Sequence, residues 1–100
     1  MPLYAIIGTD KPDSLADRLA VRAAHLARIQ ALVDAGRLVL AGPFPAIDHV
    51  DPGPAGFTGS LIVAEFADLA AAQAWASEDP YSKDGIFTDV VVKPFRHVLP

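Results

Sequence analysis

The sequence predicts a ferredoxin-like α+β fold, a βαββαβ sandwich, on three observations. Strand-like and helix-like hydrophobic runs alternate in the order β-α-β-β-α-β, the split β-α-β arrangement that puts the first and third strands at the sheet centre. The prolines agree with that order. Pro43 and Pro94 fall in the second and fourth strands, and the apolar runs of the first and third contain none. Proline lacks the N–H that a central strand must donate and is confined to edges. Lastly, the first and third strands are apolar at both parities, as expected of strands covered on both faces.

Leu3 to Ile7 is the first apolar run, followed by a polar loop, Thr9 to Ser14, carrying Pro12. Asp13 or Ser14 can cap the helix that follows, with Asp17 in its first turn. Its apolar residues recur at 15, 19, 26, 29 and 33 by helical steps. Gly36 suits the left-handed position after the helix, and Arg37 is placed beside the negative helix end. Leu38 to Phe44 is the second strand. Pro45 to Gly56, with Asp51-Pro52-Gly53-Pro54 at its centre, is a long loop. Phe57 to Phe66 is the third strand. Asp68 caps a second helix from Leu69 to about Ser77, alanine-rich and anchored by Trp75. Glu78-Asp79-Pro80-Tyr81 ends it, because the position before proline resists helical geometry. Gly85 marks the next turn, and Phe87 to Val98 is the fourth strand, interrupted by Pro94.

One hundred residues make one domain, residues 1–100, yet 52% of them are apolar. Helices on one face of the sheet can cover Tyr4 and Ile6 or Leu3, Ala5 and Ile7, but not both sets. The uncovered set predicts a homodimer packed through its sheet faces. Net charge is −4 with dispersed arginines, so the basic footprint of nucleic-acid binding is absent. With no cysteine there is no thiolate nucleophile, thiolate metal site or disulfide. The N-terminal run has no basic flank and ends at Gly8, unlike a signal peptide. No apolar run approaches the ~20 residues of a membrane span. These features predict a cytoplasmic protein that binds neither nucleic acid nor membrane.

Candidate chemistry centres on His25, the only histidine inside a helical pattern, one turn after Arg22. An imidazole on a rigid element near a buried surface can shuttle a proton near neutral pH. It can equally be a partly exposed residue bonded to a neighbour. The catalytic reading needs a carboxylate to set the tautomer. Asp34, nine residues further along the helix, lies on its opposite face at roughly 13 Å and is rejected. Asp79, at the end of the second helix, can reach His25 if the helices lie side by side; as a simple turn-former before Pro80 it would not. Ser60 shares a strand parity with Thr58 and Ile62 and must bond something when buried, either backbone or a ligand. Thr58-Gly-Ser-Leu-Ile is not a nucleophile elbow. Arg22 has no carboxylate three or four residues away and can hold an anionic ligand, or stay solvated. Gly59 and Gly42-Pro43 allow close backbone approach. His49 and His97 make no metal-ligand spacing with His25, and phosphate loops and dinucleotide fingerprints are missing, so no metal or cofactor is expected.

Six segments together resemble the YciI-like (YCII-related) family over nearly the whole chain. They are Asp-Ser-Leu-Ala-Asp-Arg-Leu-Ala-Val-Arg-Ala-Ala-His-Leu-Ala-Arg, Gly-Arg-Leu-Val-Leu-Ala-Gly-Pro, Ala-Gly-Phe-Thr-Gly-Ser, Ala-Gln-Ala-Trp-Ala, Asp-Pro-Tyr and Val-Lys-Pro-Phe. The resemblance implies a ferredoxin-like fold, a dimeric α+β barrel built through the sheets, and a site holding a histidine and an aspartate. Those fall on His25 and on Asp79, with Ser60 and Arg22 at family-like positions beside them. Some related proteins are lactone dehalogenases. The resulting expectation is a small acid–base enzyme without cofactor, of lyase, hydrolase or dehalogenase type. Its His25–Asp79 dyad would act on a compact anionic or lactone-type metabolite bound by Arg22 and Ser60. The alternative is a non-catalytic dimeric small-molecule-binding module.

Overall fold

A computed structural model describes every residue from Met1 to Pro100. The elements are β1 (Leu3–Asp10), α1 (Leu15–Asp34), β2 (Leu38–Pro45), a 3₁₀ turn (Gly53–Ala55), β3 (Phe57–Glu65), α2 (Leu69–Ser77), α3 (Pro80–Lys83) and β4 (Phe87–Phe95). The four strands form one antiparallel sheet in the order β2-β3-β1-β4. This is the ferredoxin-like α+β fold, with β1 and β3 central and both strand prolines, Pro43 and Pro94, on the outer strands. No helix is long and apolar enough to cross a membrane.

The helices cover one sheet face. Tyr4 and Ile6 of β1 and Ile62 and Ala64 of β3, with Phe66 beyond it, pack there against Ile29, Leu32, Ala72 and Ala76. Each large apolar side chain sealed this way contributes about 1.5–3 kcal/mol relative to exposure. The opposite face carries Leu3, Ala5 and Ile7 of β1, Leu61 and Val63 of β3, and their cross-strand partners Leu40, Val91 and Phe95. Leu40 and Phe95 there are 48% and 43% exposed. Where β1 and β3 pair, a Cβ on Gly59 would overlap the carbonyl oxygen of Gly8, so only glycine lets the two backbones meet.

Several elements depart from the sequence reading. β1 continues to Asp10, because Thr9 and Asp10 still pair across the sheet with Asp89 and Phe87. The inward face of α1 is Arg18, His25, Ile29 and Leu32, whereas Leu19, Leu26 and Val33 are exposed. Two of the inward positions are polar residues with partners beneath the helix, so apolar spacing pointed slightly round the helix from the true face. α2 approaches the sheet through Ala72 and Ala76, and Trp75 is only half-buried, beside Phe66. Asp79-Pro80-Tyr81 does not merely end α2; it starts α3. β4 stops at Phe95 instead of Val98, leaving Val98 and Leu99 exposed. The Arg37 side chain does not stay at the helix end but donates through Nε and Nη2 to the Glu65 carbonyl, at 3.0 and 2.8 Å.

The predicted caps largely hold. Gly36 has φ 69°, and the Arg37 N–H reaches back to the Leu32 carbonyl, which closes α1. The Asp68 carboxylate accepts from the Ala71 N–H at the start of α2. Ser14 occupies the N-cap position of α1, but its hydroxyl donates to Asp10 instead of capping the helix.

Candidate functional site

α1 lays Arg18, Arg22 and His25 on successive turns of one side, above the ends of β1 and β3. Asp79 is the N-cap of α3, with extended backbone (φ −65°, ψ 137°) and Pro80 at the first helical position. Its Oδ1 accepts from the Tyr81 N–H at 2.9 Å, which fixes the carboxylate. His25 Nδ1 then lies 2.8 and 2.9 Å from the two Asp79 oxygens. Arg28 Nη1 donates to Asp79 Oδ2 at 3.3 Å, while its Nη2 is held by the Trp75 carbonyl. The Tyr81 ring stacks on His25, centroids 3.9 Å apart and planes 8° from parallel. The imidazole is therefore gripped at one edge and on one face.

A carboxylate can only accept, so His25 Nδ1 carries the proton and the neutral ring leaves Nε2 unprotonated. Nε2 bonds no protein group, yet no fully buried polar side-chain atom lacks a partner. Nε2 must therefore meet solvent. It does so at a cavity of about 300 Å³ between α1, β2, β3 and α3, lined by His25, Arg22, Arg18, Ser60 and Tyr81 together with apolar Leu26, Ile29, Leu38 and Pro43. Asp79 does not line this cavity; it sits behind the ring. A larger but shallower groove, about 450 Å³, runs between α2, α3 and β4 and touches none of these ionisable residues.

A second polar cluster adjoins the first. Arg18 is buried and forks onto buried Asp10, with Nε to Oδ2 at 2.5 Å and Nη2 to Oδ1 at 2.9 Å. The same Nη2 donates to the Gly59 carbonyl and to Ser60 Oγ, each at 2.9 Å. The guanidinium carbon lies 4.9 Å from the Tyr81 ring centroid, so Tyr81 separates the two clusters and touches both.

The structure thus brings His25 and Asp79 into direct contact and puts Arg22 and Ser60 on the same cavity. Ser60 bonds Arg18 and not the His25 pair. Arg22 takes part in none of the chain's ion pairs. Asp34 pairs locally with Gln30. No three His, Asp or Glu side chains converge as metal ligands would. Sequence reasoning missed Asp10, Arg18, Arg28 and Tyr81. One signal was available: Arg18, His25 and Leu32 recur every seven residues, which puts two polar residues on a helix face that also buries leucine.

Burial pushes the Tyr81 phenol above its ordinary pKa, more than Arg18 and Arg22 pull it down. The folded chain then keeps this proton to higher pH than the unfolded chain. Stability from this group is complete below the ordinary value of 10.0 and is lost as pH rises through the raised value. Tyr81→Phe should flatten the fall of melting temperature above that pH; identical slopes for the two proteins would contradict this account.

Known proteins share this architecture. The YCII-related domain profile matches residues 2–96. The chain is 60% identical over 97 residues to the protein YciI of Escherichia coli O6:H1, covering 97% of this chain and 99% of that one. It is 52% identical over 96 residues to an uncharacterized protein of Haemophilus influenzae, covering 96% and 98% of the two chains. Among solved structures, the 5-chloro-2-hydroxyhydroquinone dehydrochlorinase TftG of Burkholderia phenoliruptrix AC1100, in complex with 2,5-dihydroxybenzoquinone, superposes with a TM-score of 0.83. It shares 27% sequence identity, over 96% of this chain and 95% of that one.

Proposed function

This chain belongs to the YCII-related domain family, and we propose that it is a small acid–base enzyme in which His25 moves a proton on a compact, anionic, cyclic metabolite. The observation that carries the proposal is the orientation of the imidazole: Nδ1 is bound to a buried carboxylate and Nε2 is open to a cavity. Nε2 takes a proton from a ring hydroxyl or from a carbon beside a carbonyl. From a lactone, the released pair forms a C=C bond and expels the ring carboxylate, and the imidazolium, steadied by Asp79, returns its proton to that carboxylate or to water. From a halogenated quinol, the pair moves to the carbon that bears the halogen, the imidazolium returns its proton to that carbon, and loss of a second hydroxyl proton then expels the halide and leaves the quinone. Arg22 holds an anionic oxygen of the substrate, and Ser60 donates a hydrogen bond to it. A cavity of about 300 Å³ suits one six-membered ring with small substituents. The dehydrochlorinase activity of the structural neighbour, and the quinone it binds, favour this class.

The test is turnover of halogenated quinols and small lactones by wild type and by His25→Ala. The variant should lose about 10²- to 10⁴-fold in turnover, the usual share of a general acid–base group, and still bind ligand. Equal turnover would remove His25 from the mechanism. Saturable binding of such ligands by the wild type with no turnover would leave the non-catalytic binding module.

The same reading includes a homodimer joined through the open sheet face, since Leu40, Val91 and Phe95 extend the apolar patch of the central strands. Sedimentation should give about 21 kDa, twice the 10.5 kDa of one chain. A monomer at tens of micromolar would contradict it.

A further inference from the structure

Resting on the reading above, we infer that Arg18 and Asp10 are positioning residues that turn Ser60 into a one-way hydrogen-bond donor, so that the cavity receives a substrate oxygen that becomes negative during reaction, an enolate or phenolate. A serine hydroxyl offers one proton and two lone pairs, and its direction is usually free. Here the only side-chain partner of Ser60 Oγ is a cation: Arg18 Nη2 donates to it at 2.9 Å. That bond occupies a lone pair and repels the hydroxyl proton. No protein acceptor takes that proton, and Ser60 lines the cavity that His25 Nε2 faces. The proton is therefore directed into the cavity.

Arg18 is itself immobile. Asp10 grips it through two bonds, and the Gly59 carbonyl takes a further one. Asp10 also neutralises its charge, and its side chain is only 1% exposed. The result is a donor aimed before substrate arrives, which favours charge that develops later in the reaction over charge already present. His25 would remove the proton, Ser60 would meet the oxygen that gains the charge, and Arg22, nearer the mouth, would stay free for an anionic substituent.

The probe is 2,5-dihydroxybenzoquinone, an anionic quinone at neutral pH whose visible absorption responds to hydrogen bonding. Wild type should bind it and shift its band. Ser60→Ala should weaken binding about tenfold or more, as loss of a bond to a charged group does, and should abolish most of the shift, while Ser60→Thr restores both. Arg18→Lys, which keeps the charge but not the fork, should weaken binding in the Ser60 protein and change it by less than about twofold in Ser60→Ala, the coupling of residues that act through one another. If Arg18→Lys does not fold, Asp10→Asn takes its place in the cycle. Additive effects, or Ser60→Ala binding as wild type does, would overturn the inference and leave the His25 proposal standing. No binding by wild type at millimolar ligand would overturn both.

Discussion

Asp79→Asn is expected to fold and to lose about 10³- to 10⁴-fold of turnover, as happens when an imidazole is held in the wrong tautomer. The amide oxygen can still accept from the Tyr81 N–H, so α3 keeps its cap. The remaining amide group faces His25 Nδ1 as a donor, which drives the ring proton to Nε2. The nitrogen facing the cavity then changes from base to donor, and an imidazolium loses its counter-charge. Asp79→Ala differs in kind. It removes the α3 cap bond and so strands the buried Tyr81 N–H. Losing that one cap bond, with its donor left buried, costs about 1–2 kcal/mol. For a chain of this size that is a fall of roughly 5–15 °C in melting temperature. The pair of variants separates chemistry from folding: kcat should collapse in the asparagine variant with the melting curve nearly in place. Wild-type turnover in Asp79→Asn would show that the carboxylate does not govern His25. Nitrogen chemical shifts of the imidazole would report the tautomer directly.

The sheet order was legible because proline and two-sided apolarity are constraints of the backbone ladder, and tertiary context cannot override them. Pro43 and Pro94 had to lie at edges. The meeting of His25 with Asp79 was expected from two helices lying side by side, whereas the carboxylate reaches α1 from the N-cap of α3. What stayed hidden is buried polarity. An arginine is rarely interior unless paired, so Arg18 reads as surface until its partner is known. That partner, Asp10, lies past the end of the apolar run that marked β1. The same blindness shifted the inward face of α1, since Leu19, Leu26 and Val33 outnumber the apolar residues that actually face the sheet. α3 has four residues and cannot show a period; only Asp-Pro at the cap and first helical position signals it.

Arg18→Met should cost about 3–5 kcal/mol, because it breaks a buried ion pair and leaves one charge behind. Asp10 would keep only its bond from Ser14, at 2.5 Å, while the Gly59 carbonyl and Ser60 hydroxyl would lose their donor. Methionine keeps the aliphatic stem but loses the guanidinium that lies over Tyr81, 4.9 Å from the ring centroid. Against a total stability of about 5–15 kcal/mol for a small domain, the loss is large enough to read in a urea titration. The decisive comparison is Arg18→Met combined with Asp10→Asn. The asparagine is neutral and can still accept from Ser14, so the stranded charge disappears and more than half of the lost stability should return. Such recovery assigns the cost to an unpaired carboxylate, and it fits a pair retained for aiming Ser60 more than for holding the fold. A single variant costing less than about 1 kcal/mol, within the range of exposed ion pairs, would mean that water already reaches this cluster and that Asp10 does not need the guanidinium.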